Sequence, residues 1–489
     1  MKLAFIGSGI GSLTTALLLS KEGFTIDIYE AESEPGGRLR YLQRGPYKID
    51  AGPTIVLLPE MLLSILEQGG IARQELDLIK CDPLYQICFP DGTSYVKYPD
   101  VNRQKEELLR VFPQDVRYFE QFMKDMKQHY EIGDAMFLNR SFSRRSSAFH
   151  PKMLHSLFKL KAYQSVRQRA ASYFSNEKLI DAYSLQTLYI GGDPMSSPGL
   201  YSLIPYSEHA HGLYYLKKGY AGLASLLKSV LEERGVRFHF NELINKIDYD
   251  ASGVKGVRSE AREETYDKVI FNGELPRLYD LLGHMKKRAP SFIPSSGCFL
   301  LYYGLSTHYE NKMTHQFFLP EQFLYHMKQV FKTKELPTNP SFYTFYPSAI
   351  DSTLAPEGHS VLYVLVPVPS GDGVDWEREK ERFASMIEEQ IEQRAFPEFK
   401  KHIVWRDVKT PLDAKADGLF EGGSFGIAPV LKQSGMFRPQ MKPLPIDGLY
   451  AVGASIHPGG GIPIVMQGAK LLADEMMQKP AQWGRGELG

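Results

Sequence analysis

A glycine-interrupted turn set between an apolar strand and an Ala/Leu-rich helix constrains this chain more than any other feature. The strand is expected at 3–6 and the turn is Gly7-Ser8-Gly9-Ile10-Gly11-Ser12; a helix follows over 13–19, and a second strand ends at Glu30. This order reads as a βαβ unit for a dinucleotide. Gly7 permits the tight turn and Gly9 lets backbone N–H groups approach a pyrophosphate. The helix N-terminus favours negative charge there, and Glu30 is placed to accept hydrogen bonds from a ribose. Ser12, preceded by Gly11, stands where the usual pattern has its third glycine, so helix–strand packing must accommodate one hydroxymethyl group. What separates this reading from an ordinary glycine-rich turn is context: a strand before, a helix after and an acid in register.

Bulk properties bound the remainder. The chain has 489 residues, enough for about two or three domains with real apolar cores. Lys+Arg and Asp+Glu both number 57, so no overall field draws it to nucleic acid, and none is expected as a partner. Cys81, Cys88 and Cys298 cannot all pair and have no metal-ligand spacing. They read as reduced thiols in a cytoplasmic protein, and no metal is expected. A cofactor strand beginning at Lys2 leaves no room for a signal peptide, and no apolar run reaches the roughly 18 residues that span a bilayer.

After Glu30 come a second glycine turn, Pro35-Gly36-Gly37-Arg38, a hairpin around Gly45-Pro46, and Asp50-Ala51-Gly52-Pro53-Thr54. Glycine turns so close to a βαβ unit suggest backbone packed against a flat or phosphorylated ligand, with Arg38 available to a phosphate. The order of these segments resembles the flavin-containing amine oxidase superfamily. Within it, GGR followed by DAGPT looks like the bacterial-type carotenoid (phytoene/diapophytoene) desaturases. The resemblance implies FAD lying across the segments, with Gly37 and Arg38 near the pyrophosphate. It puts Gly52, Pro53 and Thr54 beside the isoalloxazine ring, and backbone at Ile244 beside the adenine.

Further along, helices are expected over 105–112 and 116–130. Between Asp134 and Glu177 no acidic residue occurs, while Arg140, Arg144, Arg145, Lys152, Lys159, Lys161, Arg167 and Arg169 alternate with aromatic and aliphatic residues. The stretch 140–169 reads either as a solvated basic hairpin or as a surface that lies on anionic lipid, giving peripheral association with the cytoplasmic membrane. An LYIG and LYS-IP region follows, similar to the same family. Glu208, His209 and His211 then form a dense titratable cluster, in which Glu208 and His209 are candidate acid/base groups or simply polar residues at a helix end. The apolar strand at 298–303, with others at 317–318, 342–346 and 361–367, favours an apolar substrate collectively, although ordinary core accounts for any one of them.

The last strong signal is at the C-terminal end. A buried strand over 448–452 ends in Gly453-Ala454 and is followed by His457-Pro458-Gly459-Gly460-Gly461-Ile462-Pro463 and a long helix. A glycine turn feeding a helix N-terminus supplies free N–H donors and a positive dipole end. It matches the family's LYxxGAxxHPGxGIP signature, which implies FAD contacts at Gly453, Ala454, Gly461, Ile462 and Pro463. His457 is a candidate for the chemistry or a cap of the turn.

The expected architecture is α/β with an α+β insert. A Rossmann-like FAD-binding domain is assembled from 1–100, 214–280 and 405–489, and a substrate and membrane-associating domain with a mixed sheet from 101–213 and 281–404. The implied activity is FAD-dependent desaturation of a linear polyene carotenoid precursor, with oxygen or a quinone as the final electron acceptor. One alternative is oxidation of a carotenoid's terminal methyl group to an aldehyde. Another, of a different class, is a flavin-free prenyl-lipid binding protein.

Overall fold

The computed structural model describes residues 1–142 and 151–478. A five-stranded parallel sheet has the order Leu449–Ala451, Lys268–Phe271, Lys2–Ile6, Thr25–Tyr29 and Arg237–His239, so it draws on the beginning, middle and end of the chain. Alternation along the first strand sets its two faces. Leu3 and Phe5 pack with Leu13, Leu17, Met466 and Leu472 from the helices Ile10–Leu19 and Ile462–Met476. Ala4 and Ile6 face a second core with Ile247, Val257 and Leu278. A parallel sheet covered on both faces needs such continuous apolar strands. This is the Rossmann-like layer expected from the sequence. Gly7, Glu30, Asn272 and Gly453 all follow its strands at their carboxyl ends, the edge where open α/β sheets bind ligands.

The second layer is a seven-stranded mixed sheet in the order Ile403–Lys409, Gly297–Leu305, Ser360–Val368, Phe342–Phe345, His315–Phe318, Tyr85–Cys88 and Ser94–Lys97. Among the described residues its only parallel pairing joins His315–Phe318 to Tyr85–Cys88; the rest are antiparallel. One face, with Phe299, Leu301, Phe318, Phe342 and Val364, is covered by Phe383, Ile387 and Ile391 of the helix Trp376–Arg394. The other presents Tyr85, Phe317, Tyr343, Phe345 and Tyr363, and packs with helical residues Phe119, Phe122, Leu179 and Tyr206.

Two sequence expectations shift. The hairpin of Tyr85–Cys88 and Ser94–Lys97, placed by sequence among the cofactor segments up to 100, belongs to the second sheet, because Ile87 pairs with Phe317. Ile403–Lys409 joins the same sheet across the expected boundary at 405. In the basic stretch, Arg144 and Arg145 lie outside the described residues. Arg167 is paired with Glu177 and Asp181, and Arg169 is 1% exposed, so neither can face a lipid surface. Phe158 and Tyr163 are instead exposed and stacked, with ring centroids 5.6 Å apart, next to exposed Lys159. Among the described residues no helix is long and apolar enough to cross a membrane.

Candidate active site

A cavity of about 750 Å³ runs from the carboxyl edge of the parallel sheet to the aromatic face of the second sheet. Gly7, Ser8, Gly9, Glu30, Gly37 and Arg38 line its first part. Glu30 is fixed there: one carboxylate oxygen accepts from the Ser8 amide at 2.8 Å and the Ser8 hydroxyl at 2.6 Å, and the other from the Glu32 amide at 3.0 Å. The Gly36 amide donates to the Ser8 carbonyl at 3.0 Å, which holds the second glycine turn against the first. Ile244 reaches the same part from a loop just before the strand Lys246–Asp250.

Gly11 and Ser12 stand apart from this lining. A Cβ on Gly11 would approach Asn272 and Val452 to within 3.0 and 3.1 Å. Ser12 is fully buried, and its amide donates to the Asn272 side-chain oxygen at 2.6 Å. Both residues face protein rather than cavity, and the hydroxymethyl group of Ser12 is accommodated inside the helix–strand packing.

The C-terminal turn closes the cleft. Gly453, Ala454, Gly461, Ile462 and Pro463 all line the cavity, as do Gly52, Pro53 and Thr54 opposite. Gly459 and Gly461 have φ of +137° and +95°, and a Cβ built on either would meet nothing closer than 3.8 Å. Protein packing therefore does not demand glycine here. A left-handed turn open to the cleft at the head of a helix suits a phosphate or ring edge brought close to the backbone. The residues present thus fit a dinucleotide cofactor on both sides of the cleft.

Two cations border it. Arg38 pairs with Glu274, whose second oxygen accepts from the Ser455 hydroxyl at 2.7 Å. Arg438, 4% exposed, donates to the carbonyls of Gln433 at 3.0 Å and of Ala454, beside Gly459. Arg438 and Asn272 escape sequence reasoning. Neither stands in a glycine motif, although Asn272 directly follows the strand Lys268–Phe271.

The acid/base candidates divide. His457 lines the cavity, but its Nε2 donates to the carbonyls of Phe137 and Arg140, both at 2.9 Å, and burial pushes its pKa down to about 4. It is neutral and caps the chain around 137–140. Glu208 and His209 lie outside the cavity lining. Glu208 is fully buried against Lys97 at 2.7 Å and accepts from the Tyr85 hydroxyl at 2.7 Å. Burial, with the Lys97 charge nearby, holds His209 well below the usual histidine range; it is bonded to the Tyr98 carbonyl and the Tyr183 hydroxyl. Among the described residues no cluster of three His, Cys, Asp or Glu could hold a metal ion.

Beyond Thr54 the walls turn apolar and aromatic: Phe317, Tyr343, Tyr363 and Leu365 from the sheet, Leu185, Leu188 and Ile204 from the helical side. Thr54 Oγ1 and the Tyr343 hydroxyl, 2.9 Å apart, join the two halves of the cavity.

The model of the flavin containing amine oxidoreductase family matches residues 13–477. A 4,4'-diapolycopen-4-al dehydrogenase of Metabacillus indicus is 47% identical over 477 residues, covering 98% of this chain and 97% of its own. A 4,4'-diapophytoene desaturase (4,4'-diaponeurosporene-forming) of Staphylococcus haemolyticus is 31% identical, covering 98% and 99%. An oxidoreductase of Methanosarcina mazei of known structure superposes with a TM-score of 0.69 at 16% identity, over 98% of this chain and 100% of that one, which shows the shared fold. The chain belongs to the flavin containing amine oxidoreductase family and is an FAD-dependent oxidoreductase.

Proposed function

We propose that this oxidoreductase acts on a long, linear, largely apolar polyene with a backbone of the diapophytoene or diapolycopene kind. The observation that carries this reading is the continuity of the cavity, from glycine turns suited to a dinucleotide into an aromatic and aliphatic slot with few polar groups. FAD, when bound, supplies the acceptor for a hydride. Gly7, Gly9, Glu30, Gly37 and Arg38 would hold its adenosine and pyrophosphate side with Ile244 at the adenine. Gly52, Pro53, Thr54, Gly453, Ala454, Gly461, Ile462 and Pro463 would hold the ring and ribityl side. The parallel-sheet segments then form the cofactor half of the enzyme, and the seven-stranded sheet with its helices the substrate half. The slot's own part is to keep the chain extended and water away.

The sequence suggests desaturation or oxidation of a terminal methyl group to an aldehyde; the relative at 47% identity favours chemistry at the chain end, but one step further on, since its name gives an aldehyde of the diapolycopene series as its substrate. Desaturation is the second reading, favoured by the relative at 31%. Co-expression with a C30 polyene synthase and its desaturase distinguishes them. End oxidation yields oxygenated products only from an already coloured polyene. Desaturation yields colour from the colourless precursor, without a second desaturase.

A further inference from the structure

We propose that Tyr343 takes up the proton that the substrate loses, with His315 behind it as that proton's destination. This rests on the polyene reading above and applies to either reaction. The Tyr343 hydroxyl lies 2.7 Å from His315 Nδ1 and 2.9 Å from Thr54 Oγ1. Tyr343 and Thr54 line the cavity, whereas His315 stands behind them, fully buried.

His315 is an expensive residue at this place. Its ring lies nearly parallel to those of Tyr343 and Phe345, with centroids 6.0 and 5.3 Å away, and its Nε2 has no hydrogen-bond partner among the described residues. A buried ring nitrogen without a partner carries a desolvation penalty that an apolar ring of the same shape would avoid. The neighbouring positions on this sheet face, Phe317 and Phe345, are in fact phenylalanines. Packing therefore calls for phenylalanine at 315, and what histidine adds is an acceptor aimed at the Tyr343 hydroxyl. Burial pushes the His315 pKa down to about 3, so the ring rests neutral and free to accept.

Dehydrogenation takes from the substrate one hydride, with two electrons, which FAD when bound would accept, and one proton, which needs a base. The electron pair of the second broken bond, C–H in a desaturation or O–H in a hydrated aldehyde, becomes the new π bond. That proton bonds to the Tyr343 oxygen as the tyrosine's own proton passes to His315 Nδ1, leaving a neutral tyrosine and an imidazolium. Once the hydride departs, the remaining substrate is strongly acidic, so even a base of low affinity suffices. The Thr54 hydroxyl keeps the Tyr343 oxygen turned to the part of the cavity nearest the expected ring. Tyr343 is the catalytic residue in this scheme and His315 a positioning residue that also receives the proton. Asp134 is a competing acid on the cavity wall, bonded to the Asn139 side chain at 2.9 Å.

The test is anaerobic stopped-flow reduction of enzyme-bound FAD by diapolycopen-4-al and by a C30 polyene hydrocarbon. Holoenzyme is compared as wild type, Tyr343→Phe, His315→Gln and Asp134→Asn, matched for flavin per protein by absorbance. Both Tyr343→Phe and His315→Gln are expected to slow reduction about 100-fold with an unchanged half-saturating substrate concentration. A wild-type rate in Tyr343→Phe, or a shift confined to half-saturation, would overturn the assignment. A loss confined to Asp134→Asn would give the proton to that residue instead, and a loss in Tyr343→Phe with none in His315→Gln would overturn the pair. If wild-type flavin is reduced by neither polyene, the parent reading fails and this one with it.

Discussion

The backbone amide of Ser12 donates a 2.6 Å hydrogen bond to the side-chain oxygen of Asn272, and the Asn272 side-chain nitrogen donates to the Val452 carbonyl at 3.2 Å. One side chain thereby ties the first turn of the helix Ile10–Leu19 to the ends of the parallel strands Lys268–Phe271 and Leu449–Ala451, joining the start, middle and end of the chain. Its bonds also set where the glycine turns stand. Asn272→Ala is expected to weaken FAD binding to the apoprotein about tenfold, the worth of roughly one hydrogen bond. Fluorescence titration of apoprotein with FAD measures it, and an unchanged affinity would remove Asn272 from the site's framework.

Lys97 and Glu208 form an ion pair in which both side chains are fully buried. Breaking such a pair from one side leaves an uncompensated charge and costs about 3–5 kcal/mol, whereas replacing both partners by apolar groups is often neutral. Lys97→Met is therefore expected to lose most of that amount in chemical denaturation, and Lys97→Met with Glu208→Leu to regain much of it. Equal stability of wild type and Lys97→Met would mean that the pair holds nothing together.

The Asp50 carboxyl lies at the head of the helix Gly219–Glu233, where it accepts from the Ala221 amide at 3.2 Å. Burial raises its pKa to about 7 from an ordinary 3.8, against the pull of the amides of Ala221 and Tyr220. Between those values the folded state holds more protons than the unfolded one, so this group's contribution to stability falls as pH rises. The slope is at most about 1.4 kcal/mol per pH unit, ending once pH passes the folded pKa. Asp50→Asn should gain on the wild type in melting temperature as pH is raised from about 5 to about 8. A constant difference across that range would show that Asp50 is ionised throughout.

Phe158 and Tyr163, 70% and 61% exposed, form a stacked aromatic pair beside Lys159. We propose that they carry the membrane contact expected of the basic stretch, by burying ring surface at the headgroup boundary while the lysine meets anionic lipid. Flotation with anionic liposomes should drop severalfold in Phe158→Ser/Tyr163→Ser and again with Lys159→Glu. Wild-type protein that stays at the bottom of the gradient would contradict the proposal.

Local signals made much of this molecule legible in sequence. The turn at Gly7, the acid at Glu30 and the turn at 459–461 announce themselves by spacing between strand and helix, and all line one cavity. The strand Gly297–Leu305 follows from an unbroken apolar run. What sequence hides is pairing at long range. Nothing near residue 97 says that its amine meets Glu208, and so sequence leaves the cluster at 208–211 open between acid/base chemistry and polar residues at a helix end, whereas the fold commits Glu208 to an ion pair with a lysine. Likewise the hairpin Tyr85–Cys88 and Ser94–Lys97 follows the first cofactor segment in sequence but completes the other sheet. His315 and Tyr343 carry no motif, and only the register of two antiparallel strands brings them together.

The most direct measurement of the central claim is anaerobic titration of the purified protein with diapolycopen-4-al or a C30 polyene hydrocarbon, following the flavin absorbance and the mass of the polyene. A flavin band is expected in the isolated protein, bleached in proportion to polyene added, with a product two hydrogens poorer or, from the aldehyde, one oxygen richer. Protein without flavin, or flavin that stays oxidised while the polyene is recovered unchanged, would contradict it.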